Sequence, residues 1–195
     1  MQADNHAIDY PLTLICHPAT PAPVVRTIEA QAALLADGRL RIAYRLWGDM
    51  VRLRIPATQA PDRTDMLWEH TCFEAFIAAA GETSYREFNF SPAGQWAAYA
   101  FSDYRQRDEM ADPAVPPQIT TRLFAGRLEL EAIIAAEALP PGAAAFRIGL
   151  SAVVEAADTV DGSHSYWALR HPAARPDFHQ HAAFTLELAA THHLV

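Results

Sequence analysis

The chain has 195 residues, 51% of them hydrophobic, enough for one well-packed domain and too few for two. Its formal net charge of −8 works against nonspecific attachment to nucleic acid or to an anionic membrane, so neither is an expected partner. All fifteen basic residues are arginine, which excludes a Schiff-base lysine and a lysine-dependent phosphate loop.

Two cysteines, Cys16 and Cys72, with no CxxC spacing do not make a disulfide framework. The opening "MQADNHAIDYPLTLICHP" lacks a basic start followed by a long apolar run, and no apolar stretch reaches the length of a membrane span. The expectation is a cytoplasmic protein with reduced thiols.

In chain order, "LTLIC" (12–16) reads as a strand. "VVRTIEAQAALL" and "RLRIAYRLWG" flank Asp37-Gly38, a strong hairpin signal. "VRLRI" (51–55) is a further strand ending at Pro56, and 56–67 is a loop. Three strands follow in "EHTCFEAFIA", "YREFNF" and "QWAAYAF", then a second loop over 102–117. "QITTRLF" and "RLELEAII" form a hairpin through Ala125-Gly126, and residues 131–138 are open between strand and one short helix. "FRIGLSAVVEA", "SYWAL" and "AFTLEL" (183–188) complete the set. Fourteen prolines argue against long helices. The pattern predicts an all-β fold, an antiparallel β-sandwich of jelly-roll or immunoglobulin-like type with about ten strands. It would span 1–195 as a single domain, with a short flexible tail carrying His192 and His193.

Hydrophobic alternation sets a register for the central meander. Pairing Phe73 with Phe90, Ala75 with Phe88 and Ile77 with Arg86 collects the apolar residues on one face. Glu74 then faces Asn89, Phe76 faces Glu87, and Ala78 faces Tyr85. If Ser91-Pro92-Ala93-Gly94 is the whole of the next turn, Phe90 faces Gln95 and Asn89 faces Trp96. The second face would carry His70, Cys72, Glu74, Phe76, Tyr85, Glu87, Asn89 and Trp96 beside the small Ala98 and Ala100. Such a face suits a sugar, whose ring stacks on an indole or phenol while its hydroxyls bond carboxylates and carboxamides. A sheet face turned to water produces the same alternation.

The residues "LWEHTCFEAFIAA" and "SYREFNFSPAGQWAAYAFSDYR" resemble DOMON-like proteins, close to the family 9 carbohydrate-binding modules. The matching motif is Thr71-Cys72-Phe73-Glu74-Ala75-Phe76-Ile77 followed by the Ser91-Pro92-Ala93-Gly94 turn, and "YWALRHPAARPDFH" is similar to the bacterial DOMON-like group. The resemblance implies a β-sandwich that binds a sugar or haem. Sugar-binding members hold the ligand between two tryptophans, for which Trp68, Trp96 and Trp167 are available.

Four further features bear on chemistry. Haem b could be held by a Met/His pair, with Met66 and His179 the candidates, although no CxxCH is present. His171, His179 and His181 cluster with Asp177, but Pro172 and Pro176 make the segment a loop. Glu74 and Glu87 are diagonal neighbours, about 7–8 Å apart at Cα, near the spacing glycosidases use. Arg105, in "SDYR", could form one rim of a pocket. The expected function is non-catalytic binding of a small polar ligand, a saccharide, with no cofactor. Haem b is the alternative, and a glycoside-active or metal-dependent enzyme comes third. The expected ligand-binding set is Trp68, His70, Glu74, Tyr85, Glu87, Asn89, Trp96, Arg105, Trp167 and His171.

Overall fold

The computed structural model describes residues 11–157 and 163–189; the expected tail with His192 and His193 lies outside the described residues. The strands are β1 (Leu12–Cys16), β2 (Val25–Leu34), β3 (Leu40–Gly48), β4 (Cys72–Ala79), β5 (Tyr85–Phe90) and β6 (Trp96–Asp103). They continue as β7 (Gln106–Arg107), β8 (Gln118–Phe124), β9 (Arg127–Ile134), β10 (Ala145–Ala156), β11 (Ser163–Ala168) and β12 (Leu186–Ala189). Neighbouring strands pair antiparallel, and the helical segments among the described residues are single 3-10 turns. None of those segments is long and apolar enough to cross a membrane.

The fold is the expected all-β one, with local differences. Residues 51–55 do not form a full strand. Met50–Arg52 is a 3-10 turn, Leu53 bridges Ala156, and the Arg54 N–H bonds the Glu155 carbonyl across the end of β10. Over 131–138, alternation carries β9 to Ile134 before a 3-10 turn at Ala136–Ala138. The last strand starts at Leu186, after another such turn at His181–Ala183.

Hydrogen bonding runs in one path, β7-β6-β5-β4-β10-β11-β1-β2-β3-β9-β8, with β12 also paired to β10. The path folds into two layers at β1. Leu12–Leu14 pair with β2, while Ile15 and Cys16 pair with β11. Between the layers, Ile28, Ile42 and Leu130 from one side meet Phe73, Phe88 and Leu150 from the other. The Tyr44 ring lies 4.9 Å from that of Phe73, and its hydroxyl donates to the Glu74 carbonyl at 2.7 Å. Each large apolar side chain fully buried here stabilises by about 1.5–3 kcal/mol.

The layer containing β4, β5, β6, β10 and β11 also has an apolar outer face. Phe76, Tyr85 and Phe101 pack there against Phe178 and Phe184 from the segment that follows β11. Gly149 permits that cover, because a Cβ at this position would stand 2.8 Å from Phe184 Cδ1. The outer face is therefore not a plain solvated one. It is partly roofed, and the gap in the roof is the cavity described next.

Candidate functional site

The β4–β5 register is the expected one: Phe73 with Phe90, Glu74 with Asn89, Phe76 with Glu87 and Ala78 with Tyr85. The β5–β6 register is shifted by one residue. Phe90 faces Trp96, Asn89 faces Ala97, Glu87 faces Tyr99 and Tyr85 faces Phe101. The cause is the turn. Gly94 adopts φ +98°, the Gly94 N–H bonds the Ser91 carbonyl, and the Ser91 N–H bonds the Gln95 carbonyl. Pro92-Ala93-Gly94 is thus a three-residue hairpin loop with glycine in the left-handed position, closed by Ser91 and Gln95. Trp96 consequently points between the layers, and Tyr99 and Phe101 take the outer face with Glu87.

An open cavity of about 590 Å³ lies on that face. Glu74, Phe76, Glu87 and Val153 line it from β4, β5 and β10. Tyr99, Phe101, Arg105 and Arg107 line it from β6 and beyond. Trp68 comes from the 3-10 turn before β4, Tyr166 from β11, and Pro176 to His179 from the covering segment. The Trp68 ring meets Tyr99 edge-on at 6.0 Å. The Arg107 guanidinium lies 4.7 Å from the centre of the Tyr99 ring.

Glu74 is 3% exposed and Glu87 5%. Burial, and then repulsion from Glu87, pushes the Glu74 carboxyl well above the usual carboxylate range. Burial raises Glu87 to about 7, against the pull of the Asn89 hydrogen bond and of Arg107 and Arg105. Asn89 Nδ2 donates to Glu87 Oε1 at 2.7 Å. Its Oδ1 faces the Cys72 thiol at 3.7 Å.

A second chain of contacts enters from the covering segment. The Arg105 backbone N–H donates to the Tyr85 hydroxyl at 3.1 Å, and that hydroxyl lies 2.8 Å from His179 Nδ1. His179 Nε2 stands 3.7 Å from Glu87 Oε2. Burial, reinforced by Arg105, depresses His179 to about 4, so the ring is neutral at pH 7. Burial also pushes the Tyr85 phenol up to about 12. With Tyr85 donating to Nδ1, the ring carries its proton on Nε2, towards Glu87. Asp177 anchors the segment. It accepts from Tyr104 at 2.7 Å, Arg105 at 3.0 Å and Gln180 at 2.9 Å.

No family model matches the sequence, and the curated proteins contain no match. Solved structures do share the fold. A candidate carbohydrate-binding protein from Bacteroides uniformis superposes with a TM-score of 0.66 at 17% identity, over 92% of this chain and 84% of that one. A family 9 carbohydrate-binding module from Caldicellulosiruptor kristjanssonii, in complex with glucose, superposes with a TM-score of 0.52 at 11% identity, over 91% of this chain and 83% of that one. At these identities the likeness is one of fold, and at that level it agrees with the resemblance carried by the central meander.

The expected residues divide into three groups. Trp68, Glu74, Glu87 and Arg105 line the cavity. Asn89 and Tyr85 lie behind it, bonded to Glu87 and His179. Four others stand elsewhere. Trp96 packs between the layers, and so does Trp167, which faces Ala152 and donates to the Ser165 hydroxyl at 3.0 Å. His70 bonds Glu155 at 3.0 Å, and His171 bonds the Ile15 carbonyl at 2.8 Å. The Met66–His179 pair proposed for haem does not converge on a vacant ligand position. Both His179 nitrogens face protein groups, and Met66, half exposed before Trp68, is not among the lining residues. Among the described residues no group of three or more His, Cys, Asp or Glu is arranged to hold a metal ion.

Tyr99, Arg107, Tyr166 and Phe178 were not anticipated. Tyr99 was legible from the turn, because Gly94 closing a three-residue loop moves the odd-numbered residues of β6 outward. Tyr166 and Phe178 carry no such signal, since their placement depends on how the covering segment docks.

Proposed function

We propose that the cavity on the outer face of the β4–β5–β6 sheet binds a saccharide and does not transform it. The observation that carries this reading is the composition of the cavity wall. Two carboxyl groups form a polar floor, and the rings of Trp68, Tyr99, Tyr166 and Phe178 stand around it. Sugar hydroxyls need donors and acceptors held at fixed positions, and sugar C–H faces need aromatic surface. Asn89 fixes the Glu87 carboxyl from beneath, with the neutral His179 ring standing beside it at 3.7 Å, so its orientation is set before a ligand arrives.

Glu74 and Glu87 project from adjacent strands of one floor. Glycosidases place their acid and their nucleophile or base on opposite flanks of the bond they cleave. Two carboxyl groups side by side under a ligand serve recognition better than hydrolysis. A thermal-shift screen of neutral and charged monosaccharides and disaccharides, followed by tryptophan fluorescence, tests the reading. A true ligand at about a hundred times its Kd stabilises by about 2.7 kcal/mol. Release of nitrophenol from aryl glycosides by the purified protein would contradict the non-catalytic part. A flat screen across the panel would contradict the whole.

A further inference from the structure

The charges around the cavity are unevenly matched. Arg105 is held by Asp177 at 3.0 Å, and Arg107 is held by both oxygens of Asp112 at 2.6 and 2.9 Å. Each guanidinium that borders the floor therefore already has its counter-ion. Glu74 and Glu87 do not. Among the described residues no arginine forms an ion pair with either carboxyl group, and the chain contains no lysine. The one imidazole beside them, His179, presents its Nε2 to Glu87 at 3.7 Å as a neutral ring. Ser151, opposite Glu74 in register, places its buried hydroxyl beside the Glu74 carboxyl, a neutral partner that leaves the charge unmatched.

We infer that the saccharide taken by this cavity carries a free, protonated amino group, seated against Glu74 and Glu87. The inference rests on the reading of the cavity as a sugar site and names the class of sugar. A buried carboxylate is costly unless it is paired. An ammonium group brought by the ligand supplies the missing charge, stabilises the ionised carboxylates that burial disfavours, and offers three N–H donors to their oxygens. A uronic acid or sugar phosphate would instead add negative charge to a floor whose neighbouring arginines are engaged. The rings of Trp68, Tyr99 and Tyr166 favour the same ligand, because an aromatic face attracts a cation as well as a C–H surface. The net charge of −8 adds long-range attraction for a cation.

The test is titration calorimetry at pH 7 with glucosamine, galactosamine and mannosamine, each beside its N-acetyl derivative, its neutral parent hexose and the matching uronate. The expected result is that at least one hexosamine binds about tenfold or more tighter than its acetylated and neutral counterparts, and that the uronates do not bind. In E74Q and E87Q the ratio of amine to neutral affinity falls towards one. Should a neutral or N-acetylated sugar bind as tightly as the free amine, the inference fails and the sugar-binding reading stands. Should no sugar of any class bind, both fail. The panel on the unaltered protein decides the matter even if a glutamine variant does not fold.

Discussion

His179 and Tyr85, ninety-four positions apart, meet at 2.8 Å between Nδ1 and the phenolic oxygen. This contact ties the covering segment to the floor strand, and the Arg105 backbone N–H completes it by donating to the same oxygen. Tyr85→Phe keeps the ring packing, including the 4.8 Å stack on Phe101, and removes the hydroxyl alone. Two groups in part-buried contacts lose their partner, so the variant is expected to be about 1 kcal/mol less stable in urea unfolding. Sugar affinity should also fall, because the covering segment that walls the cavity loses its tie to the floor strand. An unchanged denaturation midpoint and unchanged binding would show that the contact orders nothing.

The floor acids make stability depend on pH in a defined direction. Glu87 titrates near 7 in the folded protein against about 4.5 for an ordinary glutamate, and Glu74 is also raised. The folded state therefore binds more protons than the unfolded one through this window, and stability falls as pH rises through it. His179 acts oppositely. Its folded value near 4 lies below the usual 6.5, so it adds stability as pH rises from about 4 to 6.5. The two effects partly cancel below pH 6.5, and only the decline remains above it.

The other ionisable groups around the floor constrain the reading. Cys72 and Tyr85 are raised by burial and stay neutral, as does Tyr99. Asp177 and Asp112 are lowered despite burial, by hydrogen bonds from Tyr104 and Arg107 respectively, so both lose stabilisation only in stronger acid. Thermal melts from pH 6.5 to 8.5 should show a falling Tm that E87Q flattens. The Glu87 contribution is on the order of 3 kcal/mol over its whole window from about pH 4.5 upward, of which about 1 kcal/mol falls between pH 6.5 and 8.5. Equal slopes in the two proteins would remove Glu87 as the cause.

The three candidate tryptophans should separate cleanly. Trp68 is 40% exposed at the cavity mouth, whereas Trp96 is buried between the layers. Trp68→Ala is expected to leave stability nearly unchanged and to weaken sugar binding about tenfold or more, the loss of a stacked ring. Trp96→Ala is expected to cost about 3–5 kcal/mol in urea unfolding. Binding loss in W68A without a stability change, measured by calorimetry and denaturation, confirms the assignment. The reverse pattern would restore the register in which Trp96 faces outward.

That contrast marks how far the sequence could be read. Alternation in "CFEAFIAA" and "YREFNF" carried the β4–β5 pairing, because any slip would have placed Phe88 and Phe90 beside Glu74. In β6 the pattern is weaker. "WAAYAF" offers aromatic residues and alanines to both faces, so hydrophobicity does not choose and the turn decides. The covering segment was harder still. His179 was visible as a candidate ligand, but its role beside Glu87 arises from tertiary docking of 171–185, which has no periodicity to read.

The turn that decides the β6 register is open to direct test. Gly94 sits at φ +98°, a conformation that an L side chain adopts only with strain, although the nearest atom to an added Cβ, the Gln59 carbonyl oxygen, is at an ordinary 3.5 Å. Gly94→Ala is therefore penalised through the backbone and not by collision, by about 1–2 kcal/mol. Relief of that strain requires a different loop, and a different loop slides β6 by a residue. Sliding would carry Tyr99 and Phe101 away from the cavity, so sugar affinity should fall by more than the stability loss explains. Gly81, also at positive φ in the β4–β5 turn, is the control, because its substitution strains a hairpin whose register the apolar face already holds. G81A should lose comparable stability and keep binding, measured by urea unfolding and calorimetry on the two variants. Equal binding losses in both would refute the link between the Gly94 turn and the cavity wall.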